Sequence, residues 1–346
     1  MTGPPTIVGW DVGGANTKGA RFDIIGNGLA PRSVCLPYEV QRDPEGLIPA
    51  LGEVARQLAV GPADLHAVTM TAELSQAFHT KREGVAFVLD ALEGALPDAG
   101  FHVYTVNGRF VRPAEARAHP LAVAAANWTA TANFVARSFP TCVVIDIGTT
   151  TSDLIPIVRG SLAAQGFTDP ERLLSGELLY TGALRTPAEA VTSRVPLWGG
   201  SAAISADGFA LIGDAHLWLG HLQPEDYTCR TPDGRAPTRE SSGERLARTV
   251  CADREILHES DIDAIAAALA SAQVSSLVAS LERILQRFPE ITRAVVTGLG
   301  DFIAADAART AGLAVTPLAE RLGPASRTAP AAAVAWLLWQ TLESAG

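Results

Sequence analysis

Two stretches of the chain set carboxylate, hydroxyl and glycine at a spacing suited to holding an anion. Residues 6–22, TIVGWDVGGANTKGARF, and residues 141–157, TCVVIDIGTTTSDLIPI, each open on an apolar, β-rich run. They reach Asp-apolar-Gly at Asp11-Val12-Gly13 and at Asp146-Ile147-Gly148. Gly14, Asn16 and Thr17 follow in the first and Thr149, Thr150 and Thr151 in the second; then comes one charged residue, Lys18 or Asp153, and another strand-like run. A glycine turn lets successive backbone N–H groups converge on one oxyanion, and Thr or Asn side chains add donors. An aspartate at the strand end can hold Mg²⁺, directly or through water, and so neutralise a di- or triphosphate. Two such turns facing each other across a cleft would grip a polyphosphate from both sides, with Asp11 and Asp146 close enough to share the metal or its waters. The plainer alternative is that the aspartates cap turns and the threonines pair across strands.

Further residues could act on such a ligand. Lys18, the only lysine before Lys81, could meet the charge of a departing phosphate; the alternative is a solvated turn lysine. Glu73, in the apolar block VTMTAEL, and Asp153 are candidates for a general base, Glu73 being equally readable as a helix cap. A late strand, RAVVTGLGDFI, ends on Gly298-x-Gly300, which fails G-x-G-x-x-G, and the chain has no G-x-x-x-x-G-K-[ST]. Asp214 and His216 in GDAHLWLGH suggest a substrate pocket. His216 and His221, five apart, share a helix face poorly and would oppose each other on a strand, so they do not read as a metal site. Trp10, Trp198 and Trp218 could stack on a ring, with core packing as the commoner use.

Elements must place these groups. The repeated device predicts a duplicated domain start, with one domain over 1–139, a C-terminal helix at 328–346 packed back on it, and a second over 140–327. The first half reads as three strands, then helix, strand, helix, strand and an Ala-rich helix over HPLAVAAANWTATANFVARSF, which predicts parallel strands with helices on the faces. ESDIDAIAAALASAQVSSLVASLERILQRF keeps one apolar face, and Ser260 with Asp263 resembles a capping box. The polar, Pro/Gly-rich segment 224–251 reads as a surface excursion.

A 346-residue chain with 47% hydrophobic residues builds cores easily, and more than one. Its net charge of −10, with no basic stripe, argues against nucleic acid but leaves a locally positive pocket for a small phosphorylated substrate. Cys35, Cys142, Cys229 and Cys251 form no C-x-x-C pair and read as reduced thiols; with no leader pattern and no uncharged apolar run of about 18 residues, a cytoplasmic protein without membrane partners is expected. Homo-oligomerisation stays open.

The two D-x-G motifs and the late Gly-x-Gly resemble the acetate/sugar kinase, heat-shock chaperone and actin superfamily. The resemblance implies two ribonuclease-H-like domains, each a mixed sheet flanked by helices, closing on a phosphate-binding cleft. Asp11 to Lys18 then corresponds to the first phosphate motif, Asp146 to Asp153 to the second and Val295 to Phe302 to the adenosine motif. Five blocks, VGWDVGGANTK, TMTAELSQAF…KREGV, IDIGTTTSDLIP, GELLYTGALRTP and ADGFALIGDAHLWLG, are similar to the hydantoinase A/oxoprolinase branch, and within it to proteins of tetrahydromethanopterin-linked one-carbon transfer. That group implies synthesis of a furan cofactor of the methanofuran type, joining an aminomethylfuran diphosphate to a γ-glutamyl tyramine or tyrosine phenol, with Mg²⁺ and without a need for ATP. The superfamily equally admits an ATP-dependent kinase or oxoprolinase-like enzyme, and a non-enzymatic nucleotide switch.

Overall fold

The structure, a computed structural model, describes residues 6–22 and 31–344. The start of the chain, read above for a leader, lies at residues 1–5 outside them. Two compact units divide the chain: Met1–Val144, Ile155–Glu171 and Thr316–Gly346 form the first, and Ile145–Leu154 with Arg172–Val315 the second.

In the first unit, β1 (Ile7–Val12), β2 (Asn16–Phe22) and β3 (Arg32–Pro37) form an antiparallel meander, followed by α1 (Leu47–Gln57) and β4 (Leu65–Met70). After α2 (Lys81–Ala95) come β5 (Phe101–Tyr104), β6 (Phe110–Val111), α3 (Pro113–Ala118) and α4 (Asn127–Ala136). The sheet order is β3-β2-β1-β4-β5-β6, with β1, β4 and β5 parallel, as the strand–helix alternation requires. Val8, Trp10 and Val12 alternate onto one face of β1 and pack with Leu51, Val54, Val85 and Leu89 of the helices.

One expected element differs. The Ala-rich stretch is not one helix: Pro120–Ala122 is a 3₁₀ turn, Ala125 takes φ 50°, and α4 begins at Asn127. Ala124 instead forms a parallel bridge to Met70, so pairing with the end of β4 overrides helix propensity.

The chain continues through β7 (Cys142–Ile147), β8 (Ser152–Val158), β9 (Ser161–Leu162), α5 (Asp169–Ser175), β10 (Leu178–Leu179) and α6 (Ala188–Val191). A two-stranded hairpin, β11 (Arg194–Leu197) and β12 (Gly200–Ala203), precedes α7 (Ile212–Trp218), α8 (Arg239–Arg248) and α9 (Glu259–Arg287). Then come β13 (Arg293–Gly298), α10 (Asp301–Thr310), β14 (Ala314–Pro317), α11 (Ala319–Leu322) and α12 (Ala329–Glu343). The second sheet runs β10-β8-β7-β13-β14, with β9 on β8. α12 packs on β1, β2, β4 and α4 within the first unit.

The long helix α9 is apolar and long enough by composition and length to cross a membrane. Its buried stripe, Ile262, Ile265, Leu269, Leu277, Leu281 and Ile284, is however used inside the second unit, where α7, α8 and α10 lie against it. Its cap is His258 with Asp261, not Ser260 with Asp263, so the helix starts two residues earlier than the sequence pattern suggested. Segment 224–251 is only partly a surface excursion. Its α8 buries Ser242, Gly243, Arg245, Leu246 and Ala247, because Arg245 is drawn into the core by a buried carboxylate.

Candidate oxyanion sites and a buried carboxylate

The two threonine- or glycine-rich turns share a construction that their sequences do not display. In the first, Gly13 N–H donates to Asn16 O, while Gly14 O accepts from Val40 N–H and Ala15 O from Tyr38 N–H at 3.1 Å. A trans peptide directs N–H opposite to C=O. The Ala15 N–H therefore points away from the segment that fixes it.

In the second turn Gly148 O accepts from Ala183 N–H at 2.9 Å and Thr149 O accepts from Leu184 and Arg185 N–H at 3.2 and 3.0 Å. The N–H groups of Thr149 and Thr150 are thereby turned away from 183–185. Both turns are thus rigid presenters of backbone donors, the arrangement an oxyanion needs. Gly182 lets this happen: a Cβ there would lie 2.5 Å from Thr150 N and 2.6 Å from Thr149 C. Ser152 Oγ donates to Thr181 O at 2.6 Å and ties the same segment to β8.

Around the first turn, register puts Cys35, Lys18, Asp11 and Thr69 in one row across β3, β2, β1 and β4. Directly opposed residues share a face. Lys18 Nζ reaches Asp11 Oδ2 at 3.2 Å, Asp11 being nearly fully buried. The other oxygen, Asp11 Oδ1, and the buried hydroxyls of Thr17 and Thr69 have no hydrogen-bond partner among the described residues. An acceptor that is buried and unpaired costs about 1–3 kcal/mol unless a ligand or cation completes it.

Glu73 sits in a 3₁₀ turn, Ala72–Leu74, directly after β4 and two residues past Thr71, whose hydroxyl abuts Gly13. It is 1% exposed, and among the described residues neither carboxylate oxygen meets a well-aligned hydrogen-bond partner. Burial pushes its pKa up to about 7. The nearby amides of Glu73 and Ala125 and the Lys81 charge oppose that shift, while Asp169 adds to it. Lys81 itself is held by Asp169 at 2.8 Å, so its charge reaches Glu73 largely cancelled.

Asp153 is placed differently from Glu73. It pairs with Arg172 at 2.8 Å, and that guanidinium, 1% exposed, also donates to Glu177 O. Asp146 lies at the end of β7 beside Gly298. There φ is +92° and a Cβ would fall 2.5 Å from Asp146 Oδ1, while Gly300 N–H donates to Ile147 O. The Gly-x-Gly turn and the second D-x-G strand end are therefore in direct contact within the second unit.

The GDAHLWLGH block divides in two. Asp214 is not a pocket residue: it is fully buried against Arg245 at 2.7 Å and also accepts from Ser242, Tyr227 and the Leu211 N–H. Burial raises its pKa and Arg245 opposes the rise. His216 does line a pocket of about 430 Å³ with His221, Phe302, Asp306 and Arg309. The two histidines meet, against the expectation from their spacing, because α7 ends and Gly220 (φ 76°) turns the chain back. Their ring centroids lie 5.5 Å apart.

Trp10 and Trp218 are core residues, bonded to His66 and Asp263; Trp198 is exposed at the β11–β12 tip. Among the described residues no cluster of three or more His, Cys, Asp or Glu could hold a metal alone. Arg172, Arg245 and Gln273 were missed by motif reading. Only Gln273, a polar residue breaking the stripe between Leu269 and Leu277, leaves a readable mark.

Sheets flanked by helices, each with a D-x-G hairpin turn, define the actin-like ATPase fold. The nucleotide-free acetone carboxylase structure is similar at a TM-score of 0.57, with 11% identity over 89% of this chain and 67% of that one. A ROK family glucokinase from Streptomyces griseus in complex with glucose and AMPPNP is similar at 0.50, with 14% identity over 97% and 99%. The hydantoinase/oxoprolinase family matches residues 64–341, and the chain belongs to it. It is 35% identical, over 87% of its length and 88% of the relative, to the (4-{4-[2-(gamma-L-glutamylamino)ethyl]phenoxymethyl}furan-2-yl)methanamine synthase of Methanocaldococcus jannaschii. The synthase of the same name from Methanococcus vannielii is 33% identical over 51% of this chain and 79% of that protein.

Proposed function

We propose that this protein is a synthase of furan-cofactor biosynthesis that joins an aminomethylfuran diphosphate to a γ-glutamyl tyramine or tyrosine phenol and releases pyrophosphate. The observation that carries the reading is Glu73, a buried carboxylate without a well-aligned hydrogen-bond partner among the described residues and with its pKa pushed up to about 7, at the strand end beside the first turn. The names of the two archaeal relatives, whose product contains a phenoxymethyl-furan ether, support it.

The phenol proton passes to the Glu73 carboxylate as the phenol oxygen forms its bond to the furfuryl carbon. The carbon–oxygen bond to the diphosphate breaks, and its electron pair leaves on the diphosphate oxygen. The Ala15 N–H and the Lys18 ammonium favour that developing charge, which they meet mainly in the transition state. Mg²⁺ fits the Asp11 oxygen that has no partner among the described residues, because an ion that keeps its waters and takes substrate phosphate asks for only one or two carboxylates. When bound there it would neutralise the diphosphate, with Asp11 the residue to hold it; Asp146 offers the corresponding carboxylate at the second turn.

A second reading, an ATP-dependent enzyme, is favoured by the pocket at the start of α10, where Phe302 and Ile303 could face a planar base. Phenol labelled with ¹⁸O tests which carbon–oxygen bond the synthase makes and breaks. The synthase places the label in the ether and leaves pyrophosphate unlabelled. Label in phosphate, or an unlabelled ether, contradicts it.

A further inference from the structure

Gln273 is 1% exposed and spends its whole amide on three partners in the second unit. Its Nε2 donates to Gly182 O at 2.8 Å and to Thr181 Oγ1 at 2.9 Å, and its Oε1 lies 2.8 Å from His216 Nε2. A carbonyl only accepts, so Gly182 fixes which end of the amide is nitrogen. The amide oxygen must then accept from His216, whose Nε2 carries the proton. His216 Nδ1 is left as an acceptor, and His221 donates Nδ1–H to it across 3.2 Å. A neutral His216 agrees with its burial, which lowers its pKa to about 4.

The far end of this wire is the segment that fixes the threonine turn. Thr181 O holds Ser152, Gly182 lies against the Thr149–Thr150 peptide, and Ala183 to Arg185 occupy the carbonyls of Gly148 and Thr149. Thr186 Oγ1 bonds both Thr181 Oγ1 and Gly182 N–H and stiffens the same loop. Gln273 is the buried side chain of α9 that anchors this loop to the helix.

We propose that Gln273, with its amide orientation set by the Gly182 carbonyl and its oxygen held by His216, is a positioning residue for the 148–151 oxyanion turn. It holds Thr181–Gly182 at the height from which the turn's carbonyls are gripped and its N–H groups are aimed. The inference deepens the proposed function, and its effect on turnover rests on that reading; its effect on the turn does not.

Hydrogen–deuterium exchange on the full chain tests it. Gln273→Glu keeps the acceptor for His216 but loses both donated bonds, and His216→Leu removes the donor that holds the amide oxygen. Both should speed exchange at 146–153 roughly tenfold, the scale of one lost buried hydrogen bond. His216→Gln, which restores a donor, should return it close to wild type, and α8 should be unchanged throughout. Unchanged exchange at the turn, equal acceleration of α8, or failure of His216→Gln to rescue each overturns the proposal. In turnover, Gln273→Glu should raise KM for the furan diphosphate and leave KM for the phenol alone. If wild type ignores the diphosphate while the exchange pattern holds, the functional reading fails and the positioning role stands.

Discussion

In the proposed reaction Glu73 is the general base, and its titration gives the sharpest residue-scale expectations. Its pKa rises from an ordinary 4.5 to about 7 because burial disfavours the charged form. Between those values the folded protein holds a proton that the unfolded chain releases, so this group's contribution to stability falls as pH rises through the window. Glu73→Gln removes that dependence. Relative to wild type it should gain stability from pH 5 to pH 8, by up to roughly 3 kcal/mol, measured by urea unfolding at both values. A difference that does not change with pH would show that Glu73 is not protonated in the fold at low pH. Wild-type turnover should rise with pH to a plateau above about 7, and Glu73→Gln should lose at least about 100-fold in kcat. The sequence marked Glu73 only as a carboxylate in an apolar block. That it is buried without a well-aligned partner among the described residues depends on where α2 and the Ala124–Ala125 segment come to rest, and neither is a local property.

At the scale of elements, the turns are legible in sequence as glycine, threonine and aspartate between strands. Their rigidity is not, because the residues that grip them arrive from distant segments: 38–40 for the first and 181–185 for the second. The strand–helix order of the first half and the span of α9 follow from apolar periodicity, which is dictated by burial of one face. α8 was lost to that reading because its burial is driven by a charge pair, Arg245 with Asp214, and not by an apolar stripe. Two glycines separate gripping from binding. Gly182→Ala must displace the Thr149–Thr150 backbone and should cost about 1–3 kcal/mol in urea unfolding. Gly14→Ala meets nothing within 4 Å and should leave stability within about 0.5 kcal/mol, while weakening pyrophosphate binding measured by calorimetry. If Gly14→Ala binds pyrophosphate as wild type does, close approach at the first turn plays no part.

For the whole molecule, membership of the hydantoinase/oxoprolinase family and the actin-like fold leave more than one reaction open, because fold does not fix chemistry. Motif reading reached the family and the fold because short glycine-rich turns have few physical uses when paired with carboxylates. It did not distinguish a diphosphate leaving group from a nucleotide, since both ask the same turns for the same donors. The account rests on a substrate already activated: positive charge left on the furfuryl carbon is delocalised into the furan ring, so positioning and leaving-group stabilisation suffice. The most direct measurement is therefore turnover of the purified protein with an aminomethylfuran diphosphate, γ-glutamyl tyramine and Mg²⁺, with ATP withheld. The account predicts aryl ether and pyrophosphate in equal amounts, with no stimulation when ATP is added. Formation of ADP from ATP with the furan alcohol, and no product from the preformed diphosphate, would contradict it.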